Sequence, residues 1–214
     1  LEKAVKRGVY GCFYNSGQSC SAPTRMLVER TIYEQVLEVA KIAGDRQTVG
    51  KPAEEGRHIG PVISMLQFDR IQDLINSGIS EGAKLLVGGP GKPDGFDRGY
   101  YVRPTIFYDA NNSMRIAREE IFGPVLTIIP FDDEDDAVRI ANDTPYGLAA
   151  YVETTDDERA QRVAGKLRAG QVYINGSECG YDSPFGGYKM SGNGREGGLF
   201  GLEDFLEIKA VSRP

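Results

Sequence analysis

Two hydrophobic periods alternate along these 214 residues, and that alternation constrains the fold more than any other feature. Leu1, Val5, Val9, Cys12 and Phe13 recur at three- and four-residue steps, the period of one buried helical face. Met26-Leu27-Val28 is a short apolar strand candidate, and residues 32–43 return to helical spacing. Ser64 followed by Gln67 makes a capping box and introduces a helix over residues 65–80. Further strands are expected at residues 83–87, 101–108, 126–131, 149–153 and 172–175. Helices are expected at residues 133–142 and 156–167, with Asp132 and Thr155 as their N-caps. Strands separated by helices need crossover connections, so the expected class is α/β: a mostly parallel sheet with helices on both faces.

Three stretches depart from this rhythm. Residues 88–99 are rich in Gly, Pro and Asp and read as an exposed loop. Nine glycines between Gly176 and Gly201 leave little room for regular structure, and a long loop of this kind is functional or disordered. Gly192, Gly194 and Gly197 satisfy the GxGxxG expression, yet no β-branched strand leads in and no crossover helix follows. A loop lining a site near Phe185 is the more economical reading than a dinucleotide fingerprint. Residues 205–211 alternate like a strand with one buried face, which either completes its own sheet or pairs with the edge of another chain's.

The formal charge of -6 is spread along the chain, so no basic surface invites nucleic acid or an anionic membrane, and small molecules or proteins are the expected partners. No apolar run reaches membrane-span length, and the first twenty residues lack the order of a signal peptide, which reads as cytoplasmic. The length suits one domain. Leu1 opens into a helical pattern without an initiator Met or a cap, as though the chain were entered midway through an element.

There are three cysteines and one histidine, with no metal-ligand spacing, so no metal site is expected. Cys12 lies on the buried helical face. Cys20 lies in the polar run from Asn15 to Arg25, between a helix and a strand, and is the candidate nucleophile. Its small neighbours Ser19, Ser21 and Ala22 leave a ligand free approach to the sulfur and let backbone N–H groups face a developing oxyanion. The plain alternative is an exposed cysteine in a polar turn. His58, in the charged stretch Glu54-Glu55-Gly56-Arg57-His58, reads as surface, which argues against a protease-style Cys-His pair. Without such a base the thiolate needs a strongly electrophilic substrate, and an aldehyde is one. Glu119 and Glu120 close a short helical stretch where the helix dipole disfavours negative charge, marking either a site or a solvated pair.

Taken together, the run around Cys20, Glu119-Glu120-Ile121-Phe122-Gly123-Pro124, Asn142-Asp143-Thr144-Pro145-Tyr146-Gly147-Leu148 and Pro184-Phe185-Gly186-Gly187 resemble, in order, four blocks of the aldehyde dehydrogenase superfamily. The resemblance implies that Cys20 attacks the aldehyde to form a thiohemiacetal, that hydride leaves to NAD or NADP, and that water hydrolyses the thioester. It implies that Glu120 holds the nicotinamide ribose hydroxyls, that Phe122 lies beside the nicotinamide, and that Phe185 and Cys179 border the aldehyde pocket. It further implies a C-terminal half of the family's chain: a catalytic domain over residues 1–202 lacking the dinucleotide-binding half, and an oligomerisation strand over residues 203–214 that joins a homo-oligomer. The oxyanion asparagine and general-base glutamate of the family have no counterpart in the sequence, so the isolated chain is expected to be inactive as a dehydrogenase. Release of the thioester to coenzyme A, a non-catalytic structural or oligomerisation role, and thiol esterase activity alone are the alternatives.

Overall fold

The computed structural model describes residues 1–214 and divides them into two compact units, residues 1–144 and 145–214. In the first unit, β1 (Arg25–Glu29), β4 (Val125–Phe131), β3 (Thr105–Tyr108) and β2 (Lys84–Val87) lie side by side in that order. The β1–β4 and β3–β4 pairs are parallel, and β2 is an antiparallel edge. The expected class, a mostly parallel α/β sheet, is the one observed.

Strand alternation sorts the core onto two faces. Leu126, Ile128 and Ile106 pack with Val5, Val9 and Phe13 of α1 (Glu2–Phe13) and with Val36, Leu37 and Ala40 of α2 (Tyr33–Asp45). Val125, Ile129 and Phe107 pack oppositely, against Ile71, Leu74 and Ile75 of α3 (Met65–Ser80) and Ile116 of α4 (Arg115–Arg118). Ile140 of α5 (Glu134–Asn142) joins the same cluster.

Several boundaries moved for identifiable reasons. The strand expected from residue 101 begins only at Thr105, because Pro104 has no N–H for a ladder; Tyr101 and Val102 are nonetheless buried. The cap of α5 is Asp133, not Asp132, and that of α6 (Asp157–Lys166) is Asp156, not Thr155. In each case the capping carboxylate accepts from the N–H three residues on, at 2.9 Å.

The block at Asn142-Asp143 is held by the side chains of Arg25, Asn112 and Arg118. The half-buried Arg25 guanidinium donates to the carbonyls of Ile140 and Ala141 at the end of α5, at 3.1 and 3.0 Å, and to Asn112 Oδ1 at 2.6 Å. Asp143 receives Arg118 at 2.8 Å and Asn112 Nδ2 at 2.9 Å, contacts that hold its carboxyl below the usual carboxylate range.

The second unit contains the parallel pair β5 (Ala149–Val152) and β6 (Gln171–Ile174), connected through α6, and a short helix α7 (Gly198–Glu203). Residues 206–214 carry no regular structure in the single chain, and Phe205, Ile208 and Val211 are exposed. A strand with one apolar face needs a sheet edge to supply its hydrogen bonds, and this segment has no such pairing within the chain. No helix is long and apolar enough to cross a membrane.

Candidate active site

The site in the first unit begins where α1 stops. Asn15, Ser16 and Gly17 follow with φ of 51°, 58° and 73°, so three successive left-handed residues reverse the chain. Asn15 Nδ2 donates to the Gln18 carbonyl at 3.0 Å and Gln18 Nε2 returns a bond to the Asn15 carbonyl at 3.2 Å, which closes the reversal. Ser16, itself buried, donates to the Gly60 carbonyl at 2.8 Å, and Gln18 Oε1 accepts from the Ile63 N–H at 2.9 Å. The polar run read in the sequence as a loop is therefore anchored at both ends of its turn. Cys20 follows on an exposed turn closed by the Ala22 N–H on the Ser19 carbonyl, at 3.1 Å.

Gly17 also joins this turn to the segment carrying Glu120 and Phe122. A Cβ at Gly17 would lie 2.0 Å from the Gly123 carbonyl oxygen and 2.6 Å from Pro124 N. Only glycine permits that approach, and it places the Cys20 turn and the Glu120–Pro124 segment on neighbouring backbones. Of the glutamate pair, Glu119 closes the short helix as its C-cap, its N–H donating to the Arg115 carbonyl at 2.9 Å, and Glu120 lies beyond it. The helix ends at Arg118, Glu119 is already extended, and its carboxylate turns back to Arg115 at 2.7 Å. From there the chain alternates: Glu120 is exposed, Ile121 is buried in the core, and Phe122 is half-buried with φ of 53°.

The two thiols of this unit differ sharply. Cys12 is fully buried, its Sγ donates to the Val125 carbonyl at 3.3 Å, and burial pushes its pKa up to about 12. Cys20 is open to solvent. His58 is held within its own loop, with Nε2 3.0 Å from the Lys51 carbonyl. No group of three or more His, Cys, Asp or Glu side chains is placed to hold a metal ion.

In the second unit, Phe185 and Cys179 line one groove of about 730 Å³ together with Tyr173, Glu178, Tyr181 and Glu196. Phe185 is fixed by a two-way backbone bridge to Glu196, at 2.7 and 2.8 Å. Arg195 pins the glycine-rich loop around it, donating from Nη1 to the Gly187 and Gly194 carbonyls at 2.9 Å each. The irregular region from Gly176 onward is thus an ordered loop, with only one single-turn helix and the short α7 within it.

Sequence reasoning missed Gln67. Its backbone N–H does bond Ser64 Oγ at 3.2 Å, as a capping box requires. Its side chain instead turns away and donates to the carbonyls of Ile121 and Phe122, at 2.9 and 3.0 Å. Nothing in the local pattern distinguishes a glutamine that closes a capping box from one that reaches a segment 54 residues on.

This α/β unit offers an exposed thiol on a hydrogen-bonded turn whose Gly17 lies against the backbone of the segment bearing Glu120 and Phe122, and its family is shown by comparison. The family described as the aldehyde dehydrogenase family matches residues 1–211, and the chain belongs to it. The chain is 52% identical over 211 residues to 3-succinoylsemialdehyde-pyridine dehydrogenase from a Pseudomonas species, covering 99% of this chain and 44% of that protein. The crystal structure of aldehyde dehydrogenase from Bartonella henselae superposes with a TM-score of 0.96 at 55% identity, covering 98% of this chain and 44% of that one. A cysteine-to-alanine mutant of aldehyde dehydrogenase C from Pseudomonas syringae, in complex with NAD+ and octanal, gives 0.95 at 51% identity, with 98% and 43% covered. The chain therefore spans under half the length of these relatives. Membership of the family is established by these matches; the narrower expectation of a C-terminal half is not borne out by them.

Proposed function

We propose that this chain is the cysteine-bearing part of an NAD- or NADP-dependent enzyme that oxidises an aldehyde to a carboxylic acid, with Cys20 as nucleophile. The observation that carries the reading is Cys20 itself: an exposed thiol on a hydrogen-bonded turn, packed through Gly17 against the segment bearing Glu120 and Phe122. The Cys20 thiolate adds to the aldehyde carbon, and the local N–H groups face the developing oxyanion. The thiohemiacetal on Cys20 would lose hydride, for which a bound dinucleotide would be the acceptor, and leave a thioester on Cys20, which water would cleave to the carboxylic acid and the free thiol.

The dinucleotide supplies the hydride acceptor, and the residues present suit its ribose and nicotinamide ends. Glu120 offers an exposed carboxylate, an acceptor for two vicinal hydroxyls, and Phe122 offers a half-buried ring on a fixed backbone two residues on. Phe185 and Cys179, in the second unit's groove, are proposed to border the aldehyde pocket. The NAD+ and octanal in the Pseudomonas syringae structure support the cofactor class and the substrate class. Three unbonded cysteines suit a reducing, cytoplasmic setting.

Taken alone, a polypeptide of these 214 residues is expected to show no appreciable dehydrogenase turnover. None of its residues is proposed to hold the dinucleotide phosphates or to deprotonate the deacylating water. Following NADH or NADPH formation with a panel of aldehydes checks this, and turnover at rates typical of an intact enzyme would refute it.

Residues 203–214 are proposed to pair with a second copy. Leu206 and Ile208 are exposed and alternate with Glu207 and Lys209, the pattern of a strand awaiting an edge. Sedimentation should show a concentration-dependent oligomer that is lost when residues 203–214 are removed. A monodisperse monomer at high concentration would contradict the pairing.

A further inference from the structure

We infer that Gln67 and Arg70 are positioning residues that set the backbone of the Glu120–Phe122 segment for the dinucleotide; this rests on the proposal that Glu120 and Phe122 meet it. Three consecutive carbonyls of that segment are all held by side chains of one helix. Arg70 Nη2 donates to the Glu120 carbonyl at 2.8 Å, and Gln67 Nε2 donates to those of Ile121 and Phe122 at 2.9 and 3.0 Å. One turn along the same face of α3, the buried Ile71 leaves so little room that a Cβ on Gly123 would lie 2.5 Å from its Cδ1.

The segment needs such a clamp. It has left α4 and not yet entered β4, so neither ladder satisfies these carbonyls. Phe122 also holds φ of 53°, a conformation a bulky residue adopts only where its surroundings over-determine it. With Ile121 locked into the core and the three carbonyls held, the exposed Glu120 and the half-buried Phe122 on either side of it are fixed in backbone position. Cutting the two Gln67 bonds releases that backbone without removing the Glu120 or Phe122 side chain. The α3 capping bond to Ser64 survives, because it uses the Gln67 backbone.

The test uses the full-length enzyme that contains this chain, with steady-state kinetics in both substrates. Gln67→Met keeps the length and removes the donor, and is expected to raise the KM for the dinucleotide about tenfold, with the aldehyde KM shifting less than about twofold. Gln67→Lys restores a donor and should recover most of the loss. Arg70→Met, at an exposed position, should raise the same constant to a smaller extent and serves if Gln67→Met does not fold. Equal losses in both constants, or no rescue by lysine, would reduce Gln67 to a structural residue and overturn the inference. Glu120→Gln is measured alongside. If it moves the dinucleotide KM while Gln67→Met and Arg70→Met do not, the clamp is wrong; if it too leaves that constant unmoved, the underlying assignment of Glu120 fails.

Discussion

Gly17→Ala is expected to destabilise the first unit by ~2–5 kcal/mol, the combined cost of a non-glycine residue in the left-handed region and of overpacking against backbone. Both causes act at this one position. The φ of 73° disfavours any Cβ, and the Cβ would meet the Gly123 carbonyl oxygen at 2.0 Å, with Gly123 C at 2.1 Å and Pro124 N at 2.6 Å. These are main-chain atoms, so no side chain can rotate away. Relief requires the Cys20 turn and the Glu120–Pro124 segment to separate, which should weaken aldehyde oxidation in the full-length enzyme even where the fold survives. The suited control is Gly165, inside α6, where an added Cβ meets nothing within 4 Å and φ is not left-handed. Gly165→Ala should be neutral or stabilising by about 0.5–1 kcal/mol. Urea unfolding of the two variants reads the contrast directly, and similar midpoints for both would remove the close approach from the account.

The second large effect is chemical. In the full-length enzyme, Cys20→Ala should lower kcat by at least about a thousandfold, the order of loss seen when a covalent nucleophile is removed. Cys12→Ala should not act this way: its thiol is enclosed and its pKa lies near 12, so at neutral pH it is protonated and out of reach. The same contrast is open to labelling of the 214-residue chain. Iodoacetamide should modify Cys20 in the folded state while Cys12 resists until the protein is unfolded. Any hydrolysis of p-nitrophenyl esters by the chain should vanish with Cys20→Ala, since nucleophile and oxyanion donors suffice for that reaction. Equal alkylation of Cys12 and Cys20 would argue against an exposed, reactive Cys20.

Much of this fold is written in local periods. The helices over α1, α2 and α3 and the strands β1, β2 and β4 follow from apolar spacing, because each element buries one face or, in the central strand, both. The misplacements are of another kind. Asp132 and Asp133 are equally good caps on paper, and the choice falls where the backbone leaves its extended conformation. The terminal segment reads as a strand because its pattern is one, but hydrogen bonds to an edge decide whether it forms. At the site, Cys20 was legible as a thiol in a polar turn between elements, and Glu120 and Phe122 through family resemblance. Gln67, Arg70 and Gly17 were not, because their partners lie 50 or more residues away in sequence. Long-range contacts to main-chain atoms leave no periodic trace.

The role of Cys20 is tested most directly by trapping the covalent intermediate. The full-length enzyme is mixed with aldehyde and oxidised dinucleotide, quenched in acid within the first turnover, digested and read by peptide mass spectrometry. The acyl group is expected on the peptide carrying Cys20, and absent when the dinucleotide is withheld, since hydride transfer must precede the thioester. An acyl group on Cys179 instead, or rapid turnover in Cys20→Ala, would contradict the assignment of Cys20 as the nucleophile.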